Sequence, residues 1–208
     1  MLSMPKHGLY AITPDGKSAD DILKFTAAVL KGGACVVQYR QKNSLNAIDL
    51  AKALLELCHA HHVPFIINDN VELAEKIGAD GVHLGKEDGS ILETRQRLGE
   101  SAIIGVSCYN SLEMANEAEK QGANYVAFGR FFTSNSKPLA APAEIGTLTA
   151  AKKILTLPII AIGGILPENG ASLLDAGADL LAVIGGLDTE NSTFAAQAFT
   201  ALFSQRSH

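Results

Sequence analysis

The feature that most constrains this chain is a phrase repeated eight times: a short apolar run, rich in β-branched residues, that ends abruptly in glycine or in polar residues able to do chemistry. The runs occupy residues 8–13, 35–40, 64–69, 81–84, 103–107, 125–129, 158–164 and 180–185. They are nearly continuous in apolar residues rather than alternating, which is the pattern of strands buried on both faces of a parallel sheet. Between them lie segments of helical periodicity, over 18–31, 44–61, 71–77, 90–98, 111–121, 148–154, 171–176 and 192–203. Ser18 or Asp20 marks the start of the first and Ser111 the start of the fifth.

Four of the runs are introduced by almost the same words: Gly33-Ala-Cys-Val, Gly78-Ala-Asp-Gly-Val, Gly122-Ala-Asn-Tyr-Val and Gly177-Ala-Asp-Leu-Leu. Each glycine suits the position just past a helix end, and the strand follows at once. Strand–helix units repeated eight times predict a single-domain α/β fold spanning residues 1–208, a (β/α)8 TIM barrel. An open doubly wound sheet is the rival architecture, but no Gly-x-Gly-x-x-Gly follows the first strand.

The chain has 208 residues, 47% of them apolar, and a net charge of −5. That supports one sizeable core and argues against a broad nucleic-acid-binding face. The three cysteines lack metal-ligand spacing, so reduced thiols in a cytoplasmic protein are expected. No run approaches the length that spans a membrane. The expected partners are small molecules, with a homo-oligomer allowed.

In such a barrel the site gathers at the C-terminal ends of the strands. Gln38, Arg40 and Lys42 fall at i, i+2 and i+4, so an extended strand puts all three on one face, with Tyr39 and Gln41 between them. A row of this kind suits a diphosphate, which needs several converging donors and positive charge. Asn68 and Asp69 end the third strand, and Asp88 lies just beyond the fourth. Two carboxylates near a cationic cluster suit Mg²⁺ shared with phosphate oxygens; Asp69 reads equally well as the N-cap of the helix that follows, and Asp88 as a loop or cap residue before Ser90. Ser107 ends the fifth strand. The stretch 131–147 is the longest irregular segment and carries Ser134, Asn135, Ser136 and Lys137. Gly163-Gly164 and Ile184-Gly185 end the last two strands, where bare backbone N–H groups can approach a second phosphate. His83, inside an apolar run, is expected to be a satisfied core residue, and His59, His61 and His62 to sit at a helix end. No Ser-His-Asp or Cys-His pattern suggests a protein nucleophile.

Val37-Gln-Tyr-Arg-Gln-Lys42, Ile67-Asn-Asp69, Gly81-Val-His-Leu-Gly-Lys-Glu-Asp88, Ile104-Gly-Val-Ser107, Ser134-x-Ser-Lys137 and Ala161-Ile-Gly-Gly-Ile165 together resemble the thiamine-phosphate synthase family. The resemblance runs in order from about Leu9 to Gly186. It implies a (β/α)8 barrel that joins 4-amino-5-hydroxymethyl-2-methylpyrimidine diphosphate to 4-methyl-5-(2-phosphoethyl)thiazole, or its carboxylate, releasing diphosphate by a dissociative path. It further implies that Gln38, Arg40, Lys42, Asn68, Ser107 and Lys137 hold the pyrimidine diphosphate and that Asp69 and Asp88 ligate Mg²⁺. Ser134, Ser136, Gly164 and the Ile184-Gly185 backbone would hold the thiazole phosphate, with Tyr39, Gln41, Asn135 and Gly163 beside them. Arg40, Lys42, Ser107 and Lys137 are the expected catalytic groups. The chain departs from the family pattern in having Thr133 for a usual Pro, Ser134 and Ser136 for usual Thr, Tyr109 for a usual His and Gly185 for a usual Ser. A related thiazole tautomerase branch uses a histidine where this chain has Tyr109. That isomerase, or a non-catalytic barrel, is the alternative reading.

Overall fold

The structure is a computed structural model, which describes residues 2–40, 47–133 and 142–204. Eight parallel strands, β1 (Gly8–Ile12), β2 (Val36–Tyr39), β3 (Phe65–Asn68), β4 (Gly81–Leu84), β5 (Ile103–Tyr109), β6 (Tyr125–Phe128), β7 (Ile159–Ile162) and β8 (Leu180–Val183), alternate with helices. These are α1 (Ala19–Lys31), α2 (Ala47–Ala60), α3 (Val71–Ile77), α4 (Ile91–Leu98), α5 (Leu112–Lys120), α6 (Ile145–Ile154), α7 (Pro167–Asp175) and α8 (Ser192–Ser204). Each strand pairs with the next, and β8 returns to β1 through Gly8↔Leu180 to Ala11↔Val183, so the sheet closes.

Closure divides the apolar residues into two layers. Tyr10, Val36, Ile66, Ile103, Tyr125, Ile160 and Leu180 fill the barrel interior. Their strand neighbours Leu9, Val37, Phe65, Ile67, Val82, Ile104 and Val126 pack outward against the helices, with Val29, Leu54, Leu148 and Phe199. Both faces are buried, which is why the strands read as continuous apolar runs.

The repeated Gly-Ala phrase has a specific physical use. Gly33, Gly78, Gly122 and Gly177 all have positive φ (+95°, +69°, +88° and +112°), the conformation that lets the chain leave a helix and re-enter the sheet. The residue two places on then closes the lower rim. Asp80 accepts a hydrogen bond from the Phe65 N–H (2.9 Å), Asn124 from the Ile104 N–H (2.8 Å) and Asp179 from the Ile159 N–H (2.9 Å). Each of the three also holds a basic side chain from the helix before the neighbouring strand: His59 on Asp80 (2.8 Å), Arg95 on Asn124 (2.8 Å) and Lys152 on Asp179 (2.5 Å). The fourth copy substitutes Cys35, whose thiol donates to the Leu9 carbonyl (3.3 Å). In three of the four copies the residue just before a strand therefore satisfies a backbone donor at the foot of the strand before it.

Three elements extend beyond the sequence expectation. β5 runs on to Tyr109, with a register break between Ser107 and Tyr109. Helix α7 starts at Pro167, and Asn169 accepts from the Leu166 N–H (2.9 Å), so Pro-Glu-Asn-Gly is a capped first turn rather than a loop. Helix α6 starts at Ile145 rather than 148. Cys35, Cys58 and Cys108 are free thiols, each pushed up to about 12 by burial. Among the described residues no helix is long and apolar enough to cross a membrane.

Candidate active site

The C-terminal mouth of the barrel opens onto one cavity of about 700 Å³, within the range of small-molecule sites. Its wall on the side of β2 to β5 is polar. Gln38, Arg40, Asn68, Asp69, Asp88 and Ser107 all line it. The opposite wall, at the ends of β7 and β8, is Gly163, Gly164, Ile184, Gly185 and Gly186. Lys42, Gln41, Ser134, Asn135, Ser136 and Lys137 lie outside the described residues.

Arg40 is 6% exposed yet charged. A buried guanidinium without a counter-charge is costly, and here the carboxylate of Asp15, in the loop after β1, forms an ion pair with it. Its backbone is pinned as well: the Arg40 N–H donates to the hydroxyl of buried Thr13 (2.9 Å), which donates back to the Arg40 carbonyl (3.3 Å). This locks the direction in which the strand delivers the guanidinium to the cavity.

The N-cap reading of Asp69 does not hold, because the cap of α3 is Asn70, whose side chain accepts from the Leu73 N–H (2.8 Å). Asp69 instead takes a left-handed conformation (φ +62°), unusual for a residue with a Cβ. Its N–H donates to the His83 carbonyl (2.8 Å) and its carboxylate accepts from the Asn68 amide (2.5 Å). Asp88 is not a cap either: Ser90 caps α4, while Asp88 accepts from the Gly85 N–H (2.7 Å) and so closes the loop after β4. A Cβ on Gly85 would stand 2.7 Å from that carboxylate. Two oxygen-donor side chains on one rim, beside a cation that can share a phosphate, fit a hard divalent ion such as Mg²⁺, which takes few protein ligands and keeps sites for phosphate and water. Among the described residues no group of three or more His, Cys, Asp or Glu gathers as a self-sufficient metal cage.

The glycines opposite serve close approach. At Gly164 (φ +65°) a Cβ would meet the Thr133 carbonyl at 2.3 Å, and at Gly163 (φ +106°) the Arg130 Cβ at 2.3 Å. The start of the loop after β6 is thereby laid onto β7, with Phe131 N–H on the Ile162 carbonyl (3.2 Å) and Phe132 N–H on the Gly163 carbonyl (2.9 Å). Gly185 is different: among the described residues no atom outside its chain neighbours lies within 4 Å of a Cβ built there.

Tyr39 is a correction. It is 2% exposed, stacks on Phe65 (centroids 6.4 Å) and belongs to the outer layer against the helices, as the alternation with Gln38 and Arg40 requires. His83 is another: it is half-buried and lines the cavity, with Nε2 2.8 Å from the Ser107 hydroxyl and Nδ1 3.0 Å from the Tyr125 hydroxyl. A Ser–His contact therefore exists, although the sequence displayed none. Arg130, Tyr10 and Tyr125 also line the cavity and were not anticipated, and Tyr109 lines it at the position where the resemblance puts a usual histidine. The available signal for Tyr10 and Tyr125 was a hydroxyl within an apolar run, which needs a buried partner. For Tyr109 it is the place two residues after Ser107, since alternation along β5 buries Cys108 in the outer layer and leaves Ser107 and Tyr109 both on the cavity.

The family model of thiamine monophosphate synthase matches residues 9–187. The chain belongs to this family. It is 50% identical over 185 residues to the thiamine-phosphate synthase of Methylococcus capsulatus, covering 88% of this chain and 83% of that one. It is 48% identical over 202 residues to the thiamine-phosphate synthase of Chromobacterium violaceum, covering 96% and 97%. Among solved structures, the thiamine phosphate pyrophosphorylase of Pyrococcus furiosus superposes with a TM-score of 0.87 at 31% identity over 98% of each chain. The barrel expected from the repeated strand endings and the family expected from the motif resemblance both hold.

Proposed function

We propose that this cavity carries out the family's transferase reaction, joining 4-amino-5-hydroxymethyl-2-methylpyrimidine diphosphate to 4-methyl-5-(2-phosphoethyl)thiazole, or to its carboxylate with loss of CO2, to give thiamine phosphate and diphosphate. What carries the reading is the two-sided mouth: cationic and acidic side chains on the β2–β5 rim face bare glycine backbone on the β7–β8 rim across one cavity. Two phosphorylated substrates need two such surfaces.

On the first side Arg40 binds diphosphate oxygens, and Asp15 gives up part of its hold as the ligand's charge replaces its own. Asn68 and Ser107 contribute neutral hydrogen bonds, and Lys42 and Lys137 complete the positive field. Asp69 and Asp88 would hold Mg²⁺, which would supply charge neutralisation for the departing diphosphate. The bond from the pyrimidine methylene carbon to oxygen breaks and its electron pair leaves with diphosphate. Arg40, Lys42, Ser107 and Lys137 hold that developing charge in place, which lowers the barrier without a covalent enzyme intermediate. On the second side the Gly164 and Gly185 backbone, with Ser134 and Ser136, seats the thiazole phosphate. The ring nitrogen then faces the methylene carbon, and orientation supplies much of the rate. The absence of a required nucleophile suits a site whose Ser107–His83 contact has a phenol, not a carboxylate, behind it. Tyr109 disfavours the tautomerase alternative, which uses a histidine there. The buried thiols fit a cytoplasmic setting.

Purified protein incubated with both substrates and Mg²⁺ is expected to produce thiamine phosphate and diphosphate in equal amounts, and chelation of the metal to stop it. No product with or without metal would overturn the assignment.

A further inference from the structure

Beneath the cavity a line of side chains crosses the barrel from β2 to β5. The Gln38 amide nitrogen is 3.0 Å from the Tyr10 hydroxyl, which is 2.8 Å from the Tyr125 hydroxyl. Tyr125 is 3.0 Å from His83 Nδ1, and His83 Nε2 is 2.8 Å from the Ser107 hydroxyl. The Tyr10 and Tyr125 rings meet edge to face, and His83 stacks on Tyr125 (centroids 5.6 Å, planes 19° apart), so the groups are packed in this order. Room for Tyr125 is made by its cross-strand partner Gly105, where a Cβ would fall 2.3 Å from the hydroxyl.

We propose that Tyr10, Tyr125 and His83 are positioning residues that form a one-directional hydrogen-bond relay, anchored by the Gln38 amide, which fixes Ser107 as a donor into the cavity. Each link has one hydrogen to give, so the first link sets all the others. The Gln38 nitrogen can only donate, and the Tyr10 oxygen accepts. The Tyr10 hydrogen then belongs to Tyr125, and the Tyr125 hydrogen to His83 Nδ1, which must be unprotonated. A neutral imidazole that accepts at Nδ1 carries its hydrogen on Nε2 and donates it to the Ser107 oxygen. The hydrogen of Ser107 is the one left over, and Ser107 lines the cavity. Both phenols are fully buried and burial pushes them well up, so neither loses its proton to break the sequence.

Reversing the first link reverses the chain. An acceptor in place of the Gln38 nitrogen would take the Tyr10 hydrogen, turn Tyr125 toward Tyr10, move the imidazole hydrogen to Nδ1 and draw the Ser107 hydrogen onto Nε2. Ser107 would then offer the cavity a lone pair, which repels a phosphate oxygen. The orientation of an amide on β2 thus controls a hydroxyl on β5 (the two ends of the diphosphate side). Only the consequence for diphosphate binding rests on the function proposed above; the direction of the relay is a property of the free protein.

The test reads the histidine directly. In ¹⁵N-histidine-labelled protein at neutral pH, with the His83 signals assigned by their loss in His83→Asn, the neutral Nε2–H tautomer is expected. Gln38→Glu supplies an acceptor, kept ionised by Arg40 two residues on along the same strand face, and is expected to switch His83 to Nδ1–H. In a Tyr125→Phe background, with folding verified by amide spectra, the same substitution is expected to leave the tautomer unchanged because the line is cut. An Nδ1–H tautomer or an imidazolium in the unmutated protein would overturn the relay. So would an Nε2–H tautomer that persists in Gln38→Glu. A correct tautomer switch in a protein that makes no thiamine phosphate would leave the relay standing and remove only the assigned reaction.

Discussion

Replacing Asp69 by glycine separates the metal role of this residue from its backbone strain. Asp69 is exposed and holds φ at +62°. A left-handed conformation costs a residue with a Cβ about 1 kcal/mol, and glycine removes that cost. Against it stand about 0.5–1 kcal/mol for the greater freedom of glycine in the unfolded chain and about 0.5 kcal/mol for the exposed hydrogen bond from Asn68. These terms nearly cancel, so stability should change by less than about 1 kcal/mol, a shift in melting temperature within about 4 °C for a chain of this size. Asp69→Ala keeps the strain and loses the hydrogen bond but avoids the entropy cost of glycine, so it should melt level with Asp69→Gly or up to about 2 °C below it. Turnover behaves differently. Losing one of two carboxylate ligands forfeits on the order of 3 kcal/mol of charge stabilisation, which is about a hundredfold in rate. Thermal melts and a diphosphate-release assay titrated with Mg²⁺ read both quantities on the same sample. Turnover within about threefold of the unmutated protein would refute the ligand assignment, and a melting point lowered by about 10 °C would refute the strain argument.

Three further outcomes follow from the same geometry. Asp80→Ala strands the buried Phe65 N–H and releases His59 and the Leu2 N–H; at about 1–3 kcal/mol for the stranded donor alone, denaturant unfolding should show a loss of about 3 kcal/mol with KM for both substrates unchanged. Gly185→Ser meets open space and restores the hydroxyl usual in the family; the KM for the thiazole phosphate should fall or hold while the melting point stays fixed, and a loss of turnover would show that the bare backbone is needed there. Cys35, Cys58 and Cys108, each pushed up to about 12, should resist iodoacetamide in the native protein at pH 8 and react once it is unfolded, as mass spectrometry would show.

The barrel was legible because its cause is local and repeated: eight apolar runs and four Gly-Ala phrases state the strand–helix unit outright. The strand-end residues on the β2–β5 rim were legible for the same reason, since period-two alternation separates Gln38 and Arg40 from Tyr39. Choosing roles for Asp69 and Asp88 was not, because an acid before a helix is also a cap, and only the structure shows Asn70 and Ser90 in that position. The relay was illegible for a deeper reason. Tyr10, His83 and Tyr125 each look like an ordinary core residue in its own strand; their link arises from barrel closure and from the register that sets Gly105 against Tyr125. The helix start at Pro167 was missed because Pro-Glu-Asn-Gly satisfies turn chemistry until Asn169 is seen to cap it.

The proposed site divides the mouth between two phosphate-bearing substrates. A crystal structure with thiamine phosphate, diphosphate and Mg²⁺ bound tests it most directly. Diphosphate and the metal are predicted between Arg40, Asp69 and Asp88, with the phosphate of thiamine phosphate on the backbone at Gly164 and Gly185. Both phosphate groups on one rim, or a metal that touches neither Asp69 nor Asp88, would contradict it.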